Sequence, residues 1–113
     1  MILDVGEKVH IIERRYFVED LRRHFIGEVT RCIGNTIRVK GKTWVFDSIK
    51  GQFAQKPDKR DRVIQLGDRL TINVLPPEVN VDELKYAMTP QRGLVITDGK
   101  KFKLDITEFT ATR

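Results

Sequence analysis

The sequence is poor in the side chains on which nucleophilic catalysis, metal binding and disulfide formation depend. It contains one cysteine, Cys32, one serine, Ser48, and two histidines, His10 and His24. A single thiol cannot close an intramolecular disulfide, and the spacing of the cysteine and the histidines matches no zinc site. Cys32 lies among apolar residues, where a buried and inert thiol is the usual case. We therefore expect no enzyme activity, no cofactor and no metal.

Long apolar runs are also missing. No stretch approaches the roughly 20 apolar residues that a helix needs to cross a bilayer, and residues 1–7 lack the basic start and apolar run of a signal peptide. We expect a cytoplasmic protein without a membrane partner. The length of 113 residues predicts one domain that folds without disulfides.

The excess of positive charge is confined to the first half of the chain. Residues 1–62 carry 14 Lys and Arg against 9 Asp and Glu, whereas residues 63–113 carry 7 of each. The whole net charge of +5 therefore belongs to the first half. This asymmetry predicts a polyanionic partner, and the alternative is a solvated surface that only keeps the protein soluble.

Apolar and polar residues alternate along most of the chain, which predicts β-strands with one wet face. Within residues 22–49 the alternation and two short turns, Gly34-Asn35 and Gly41-Lys42, predict a three-stranded meander. Phe25, Val29 and Ile33 are expected to share one face of it. Asp98-Gly99 predicts a hairpin in the second half, because both positions tolerate positive φ. We expect a mainly β fold in which curved strands close into a small barrel.

The remaining segments complete this single-domain prediction. Residues 51–61 are polar and predict a loop, and residues 63–74 predict a strand pair that ends before Pro76-Pro77. Asn80 as N-cap, with Glu83 three positions on, predicts a short helix that stops before Pro90 and covers a barrel end or sheet edge. We expect residues 1–75 to form the barrel core, with the helix and hairpin of residues 76–113 packed on it.

Residues 5–47 contain a recognisable sequence pattern. It is carried by the segments Gly6-Glu7-Lys8-Val9-His10-Ile11, Gly27-Glu28-Val29 and Gly34-Asn35-Thr36-Ile37-Arg38-Val39. This pattern resembles the opening of SH3-like small barrels such as Tudor and KOW modules, and it is similar to the first motif of Sm-like proteins. The SH3-like resemblance implies a module that binds peptide or nucleic acid, and the Sm-like one implies a ring-forming RNA binder. Residues 63–113 fit neither pattern, and we expect a separate bacterial family.

A basic segment carries the main candidate site. Lysine and arginine spaced along strands can follow a row of phosphates, and each contact releases a counterion. The candidate phosphate-binding residues are Arg14, Arg15, Arg22, Arg23, Arg38, Lys40 and Lys42. The alternative is that acidic neighbours such as Asp20 and Glu28 neutralise them in ion pairs across strands, and the two histidines are expected to pair with the same acids.

Single-strand binding also needs exposed aromatic rings on which bases stack. Tyr16 and Phe53 are the candidates, although Tyr16 can equally pack in its loop and Phe53 can anchor the 51–61 segment. Trp44 alternates with Phe46 and is expected in the core. The leading hypothesis is therefore a nucleic-acid-binding module. The alternative is a protein-interaction or oligomer-assembly module, and a pocket for a small molecule is a third possibility for which the sequence offers no constellation.

Overall fold

A computed structural model of the protein describes residues 2–15, 17, 22–90 and 93–107. The chain divides into two units, Met1–Pro77 and Glu78–Arg113. The first unit is one antiparallel sheet of six strands, which are β1 (Lys8–Glu13), β2 (Arg23–Ile33), β3 (Thr36–Asp47), β4 (Gln52–Gln55), β5 (Arg60–Gln65) and β6 (Leu70–Leu75). The strand order is β4-β3-β2-β1-β6, and β5 pairs with β3 beside β4. The mainly β prediction is confirmed.

Two glycines allow the paired strands β2 and β3 to approach each other closely. Gly27 and Gly41 are register partners on these strands. A Cβ added at Gly41 would lie 2.5 Å from the Gly27 Cα and in contact with the Ile26 carbonyl oxygen. The predicted turn at Gly41-Lys42 is therefore wrong, because Gly41 lies inside a continuous strand and serves a close backbone approach.

One apolar cluster of the first unit lies on one side of this sheet. It is formed by Leu3, Val9, Ile11, Phe25, Val29, Ile37 and Val39. Four partly buried side chains from the end of β5 and from β6 pack against the same cluster, namely Ile64, Leu66, Leu70 and Ile72. The alternation seen in the sequence thus marks the apolar side of the strands correctly for most of the sheet.

The closed barrel is not observed. Among the residues that the structure describes, β5 pairs with β3 and β6 pairs with β1, so the predicted pairing within residues 63–74 is wrong. Leu66 N donates to Asn35 O at 2.7 Å, which holds the end of β5 beside the β2–β3 turn. Ile72 is the register partner of Ile11 on the far edge. Both strands bury apolar residues in the same core from different edges, and the sheet curls without closing.

The segment predicted as a loop over residues 51–61 is partly strand. Gln52–Gln55 forms β4 and pairs with the end of β3, and β5 begins at Arg60. The sequence of β4 lacks clear alternation because only Phe53 of its four residues is buried. Strand pairing therefore depends here on one anchoring ring.

The second unit is a three-stranded antiparallel meander of β7 (Lys85–Met88), β8 (Leu94–Thr97) and β9 (Lys103–Asp105). The hairpin around Asp98-Gly99 is confirmed, with Gly99 at a φ of 76°. The predicted capping helix is wrong. The Asn80 side chain does accept from Asp82 N, but only one 3₁₀ turn, Val81–Glu83, follows before Leu84 adopts extended dihedrals.

Candidate nucleic-acid interface

A β-bulge decides which side chains the β2–β3 hairpin presents to solvent. The register between the two strands shifts between Val29 and Arg31. Because each residue step reverses the side on which a side chain points, the shift turns Cys32 toward the core and Ile33 outward. The predicted position of Ile33 on the face of Val29 is therefore wrong, and its side chain is 63% exposed.

The bulge also places Arg31 directly opposite Arg38 on the outward side of the hairpin. Both side chains are exposed, and Val63 on β5 is the register partner of Arg38 on its other side. An open groove of about 220 Å³ runs between them, lined by Arg31, Ile33, Thr36, Ile37, Arg38 and Val63. Two guanidinium groups beside aliphatic side chains can receive an anionic group together with a flat apolar one.

The charged side chains around the groove leave a small excess of positive charge. Arg38 Nε lies 3.7 Å from Asp61 Oδ1, and both side chains are at least half exposed, so this ion pair is weak and easily exchanged. Arg31 forms no ion pair within the described part of the chain. Lys40 lies between Glu28 and Asp61 in the strand register, and these carboxylates offset its charge. Three cations, on Arg31, Arg38 and Lys40, therefore lie beside two carboxylates, and the local excess is one positive charge.

The other predicted cations lie at the opposite end of β2. Arg23 is the register partner of Glu13 and of Val45, which is seven residues along β3 from Arg38 and at most roughly 23 Å away. Arg14 and Arg15 are exposed just after β1. The Arg14 Nη1 donates to the Asp68 carbonyl at 3.5 Å. The structure thus separates the basic residues into two groups.

Arg22 is engaged in packing at that end of the sheet. Its guanidinium carbon lies 4.7 Å from the ring centroid of Phe46 and 5.4 Å from that of Phe53, within the range of cation–π contacts. The Phe53 ring is buried, with its centroid 5.5 Å from that of Phe46. This position favours the anchoring alternative for Phe53 over base stacking.

Two further predicted site residues and one core prediction have clear positions. Lys42 is half-buried opposite Ile26, and Lys40 is exposed two residues closer to the hairpin turn. Trp44 is buried, as expected. Tyr16 lies outside the described residues.

Sequence reasoning missed the partnership of Arg31 with Ile33 and Val63. Strict alternation assigns Arg31 to the side of Val29, and no feature of the sequence of residues 29–31 indicates the bulge that reverses this assignment.

The contact between the two histidines is also not predicted by the sequence. His10 and His24 were expected beside acids, but both are buried and His10 Nε2 lies 3.1 Å from His24 Nδ1. That contact joins residues 14 positions apart and depends on the register of β1 with β2.

Comparisons with protein families, curated proteins and solved structures give no match for this chain. In the described part of the chain, no helix is long and apolar enough to span a membrane. Likewise, no group of three or more His, Cys, Asp or Glu side chains among residues 2–15, 17, 22–90 and 93–107 could hold a metal ion. The geometry and charge of the groove are therefore the observations that bear on function.

Proposed function

We propose that this chain is a non-catalytic β-sheet binding module that contacts nucleic acid through the outward face of the β2–β3 hairpin. The observation that carries the proposal is the direct pairing of Arg31 with Arg38, both exposed, where the local excess is one positive charge. Guanidinium groups bind phosphate oxygens with two parallel hydrogen bonds, so two adjacent arginines fit neighbouring phosphates of one backbone. Lys40 extends the same row toward the middle of β3.

The proposed contact differs from the one expected of an aromatic stacking platform. Trp44 and Phe53 are both buried, so they leave the groove with aliphatic side chains, Ile33 and Val63, beside the arginines. Affinity would then come mostly from phosphate contacts and would depend steeply on salt. The finer likeness to SH3-like or Sm-like modules is part of this proposal, and the length of β2 and β3 and the bulge between Val29 and Arg31 support it.

The first prediction concerns binding of a fluorescently labelled single-stranded RNA or DNA, measured by anisotropy over a range of salt concentrations. The wild type should bind at low salt and lose affinity as salt rises. The double variant Arg31→Ala/Arg38→Ala should bind about tenfold more weakly, with a salt slope smaller by about 1.4, since each lost contact to a single strand removes about 0.7.

The matched control is Lys101→Ala/Lys103→Ala, which removes the same charge from exposed positions of the second unit. It should bind like the wild type if the hairpin face is the site. Equal losses in both double variants would mean that only net charge matters. Absence of binding by the wild type at low salt would contradict the proposal outright.

A second candidate function, protein interaction or self-assembly, is favoured by one observation. Ile33 on β2 and Val63 on β5, the strands on either side of β3, are each 63% exposed in the same groove, which gives the groove an exposed apolar part. Sedimentation velocity distinguishes the self-assembly form of this alternative: a strict monomer at high concentration argues against it, and a dimer lost in Ile33→Ser supports it.

A further inference from the structure

Three polar side chains form a connected chain across three adjacent strands of the first unit. Asn73 on β6 lies with its Nδ2 3.1 Å from His10 Nδ1 on β1, and His10 Nε2 lies 3.1 Å from His24 Nδ1 on β2. Asn73 is the register partner of His10. The side chains of His10 and His24 are 0% and 2% exposed, so two titratable groups are held in contact away from water.

This arrangement holds both imidazoles in the neutral form. A neutral imidazole has one donor and one acceptor nitrogen, which matches a chain in which each histidine passes a hydrogen bond to the next group. Burial lowers the pKa of His10 to about 4, and burial together with the neighbouring His10 and Arg22 lowers the pKa of His24 to about 3. Two protonated rings, with centroids 5.0 Å apart, would also repel each other.

The charged groups that share this side of the sheet do not offset a proton on the pair. The charged group on β1 is Lys8, whose Nζ donates to Pro77 O. The charged group on β2 is the exposed Glu28, which lies opposite Lys8. On β3 Lys42 lies opposite Ile26 and Lys40 lies opposite Glu28. On β5 Asp61 lies opposite Lys40, while β4 and β6 have no charged residue in their sequences. The Arg22 guanidinium lies 5.4 Å from the Phe53 ring centroid, and its charge also opposes a proton on His24. Cations thus outnumber carboxylates around the histidines.

The shortest strand of the sheet carries a ring that covers His24. The Phe53 ring centroid lies 4.6 Å from that of His24, and Phe53 is the buried residue of the four-residue strand β4. In the described residues β4 pairs with β3 alone, through four residue pairs. The turn before it contains Gly51 at a φ of 69°, and residues 56–59 after it are exposed. Release of Gln52–Gln55 is therefore the smallest opening that would remove this ring from His24.

We propose that β4 is a cover over His24 that detaches from β3 more readily in acid. The reason is that His24 can take up a proton only when Phe53 no longer shields it. The sign follows from linkage. The open form, with His24 hydrated and its pKa near the ordinary 6.5, binds more protons than the closed form, so opening becomes more favourable as pH falls. From about pH 7.5 to about pH 5 the opening equilibrium constant should rise roughly 30-fold for one histidine.

The test is native-state amide hydrogen exchange followed by NMR across this pH range. The reporter is the Lys56 amide, which donates to Thr43 O at 2.8 Å at the end of β4, and the reference is the Val29 amide, which donates to Glu7 O at 2.8 Å. After correction for intrinsic exchange, the opening constant at Lys56 should rise roughly 30-fold toward acid. Val29 exchanges through opening of the whole sheet, so its opening constant should stay well below that of Lys56, although it rises with the loss of global stability by up to roughly a thousand-fold.

The variant His24→Gln keeps an amide that can hydrogen-bond but removes the titration, and it should abolish the rise at Lys56. The matched variant His10→Gln should keep it. An opening constant at Lys56 that does not change with pH in the wild type would overturn the proposal. Equal opening constants at Lys56 and Val29, with the same roughly thousand-fold rise, would also overturn it, because Lys56 would then exchange only when the whole sheet opens and exposes both histidines.

If either variant fails to fold, an NMR titration of the histidine rings in the wild type still tests the proposal. The chain has only two histidines, so their ring proton signals report these groups and no others. In the closed protein neither signal should titrate between about pH 5 and about pH 8. A ring with a pKa near the ordinary 6.5 in the folded state would overturn the proposal.

Discussion

Substituting alanine for Gly41 is expected to reduce the free energy of unfolding by about 3 kcal/mol or more. The added Cβ would contact the Ile26 carbonyl oxygen and lie 2.5 Å from the Gly27 Cα, both of which are backbone atoms of the paired strand. Backbone in the middle of a long strand pair cannot move aside cheaply, so β2 and β3 must separate locally. Urea unfolding followed by far-UV circular dichroism measures the loss.

The matched control for this substitution is Gly67→Ala. A Cβ at Gly67 meets nothing within 4 Å, and the expected change is within about 0.5 kcal/mol. Gly27→Ala should resemble Gly41→Ala, because its Cβ would lie 2.8 Å from the Lys40 carbonyl carbon and 3.0 Å from the Gly41 Cα. Stability of Gly41→Ala equal to that of Gly67→Ala would contradict the close approach of β2 and β3.

Stability is expected to fall by about 4 kcal/mol between pH 7 and pH 5. Burial lowers the pKa of His10 to about 4 and of His24 to about 3, whereas both groups return to about 6.5 in the unfolded chain. Between these values the unfolded state binds more protons, so stability is complete above about pH 6.5 and declines as pH falls toward 4. The slope is about 1.4 kcal/mol per pH unit for each histidine.

Urea titrations at several pH values measure this decline, and the denaturant dependence should stay constant while the midpoint shifts. The double variant His10→Gln/His24→Gln serves as control, and its stability should be nearly flat over the same range. A wild-type change below about 1 kcal/mol between pH 7 and pH 5 would contradict the buried, neutral histidine pair.

The sequence was a good guide wherever one side of a strand faces a core. In β3 the alternation of Ile37 and Val39 with Arg38 and Lys40 correctly separates buried from exposed side chains. In β9 and its flanks Leu104 is half-buried and Ile106 is buried. Such patterns are local, because burial on one side of a strand requires a period of two residues whichever strand lies alongside.

The predictions that fail depend on strand pairing between distant residues. The capping residues at Asn80 do form their local hydrogen bond, and they support one turn as readily as a longer helix. Tyr86 and its neighbours then pair with β8, and a helix of about eight residues has too little stability of its own to compete. The sequence predicts a turn at Gly41 because glycine permits turns. Glycine also permits the close approach of two backbones, and this is its role at Gly41, beside Gly27.

The candidate site was predicted in part for the same reason. Arg38 and Lys40 lie on the outward face of β3, as alternation indicates. The contribution of Arg31 depends on a bulge with no local signature, and the contact of His10 with His24 depends on the register of β1 with β2. Charge composition located the cations in the first half of the chain, but strand order decides that they form two groups.

The most direct test of the proposed interface is a two-dimensional ¹⁵N–¹H NMR titration with a short single-stranded oligonucleotide at low salt. The proposal predicts that the shifted backbone amides cluster at Arg31–Arg38 and around Val63, on the face that carries the groove. Shifts confined to Arg14, Arg15, Arg22 and Arg23, or no shifts at saturating oligonucleotide, would contradict it.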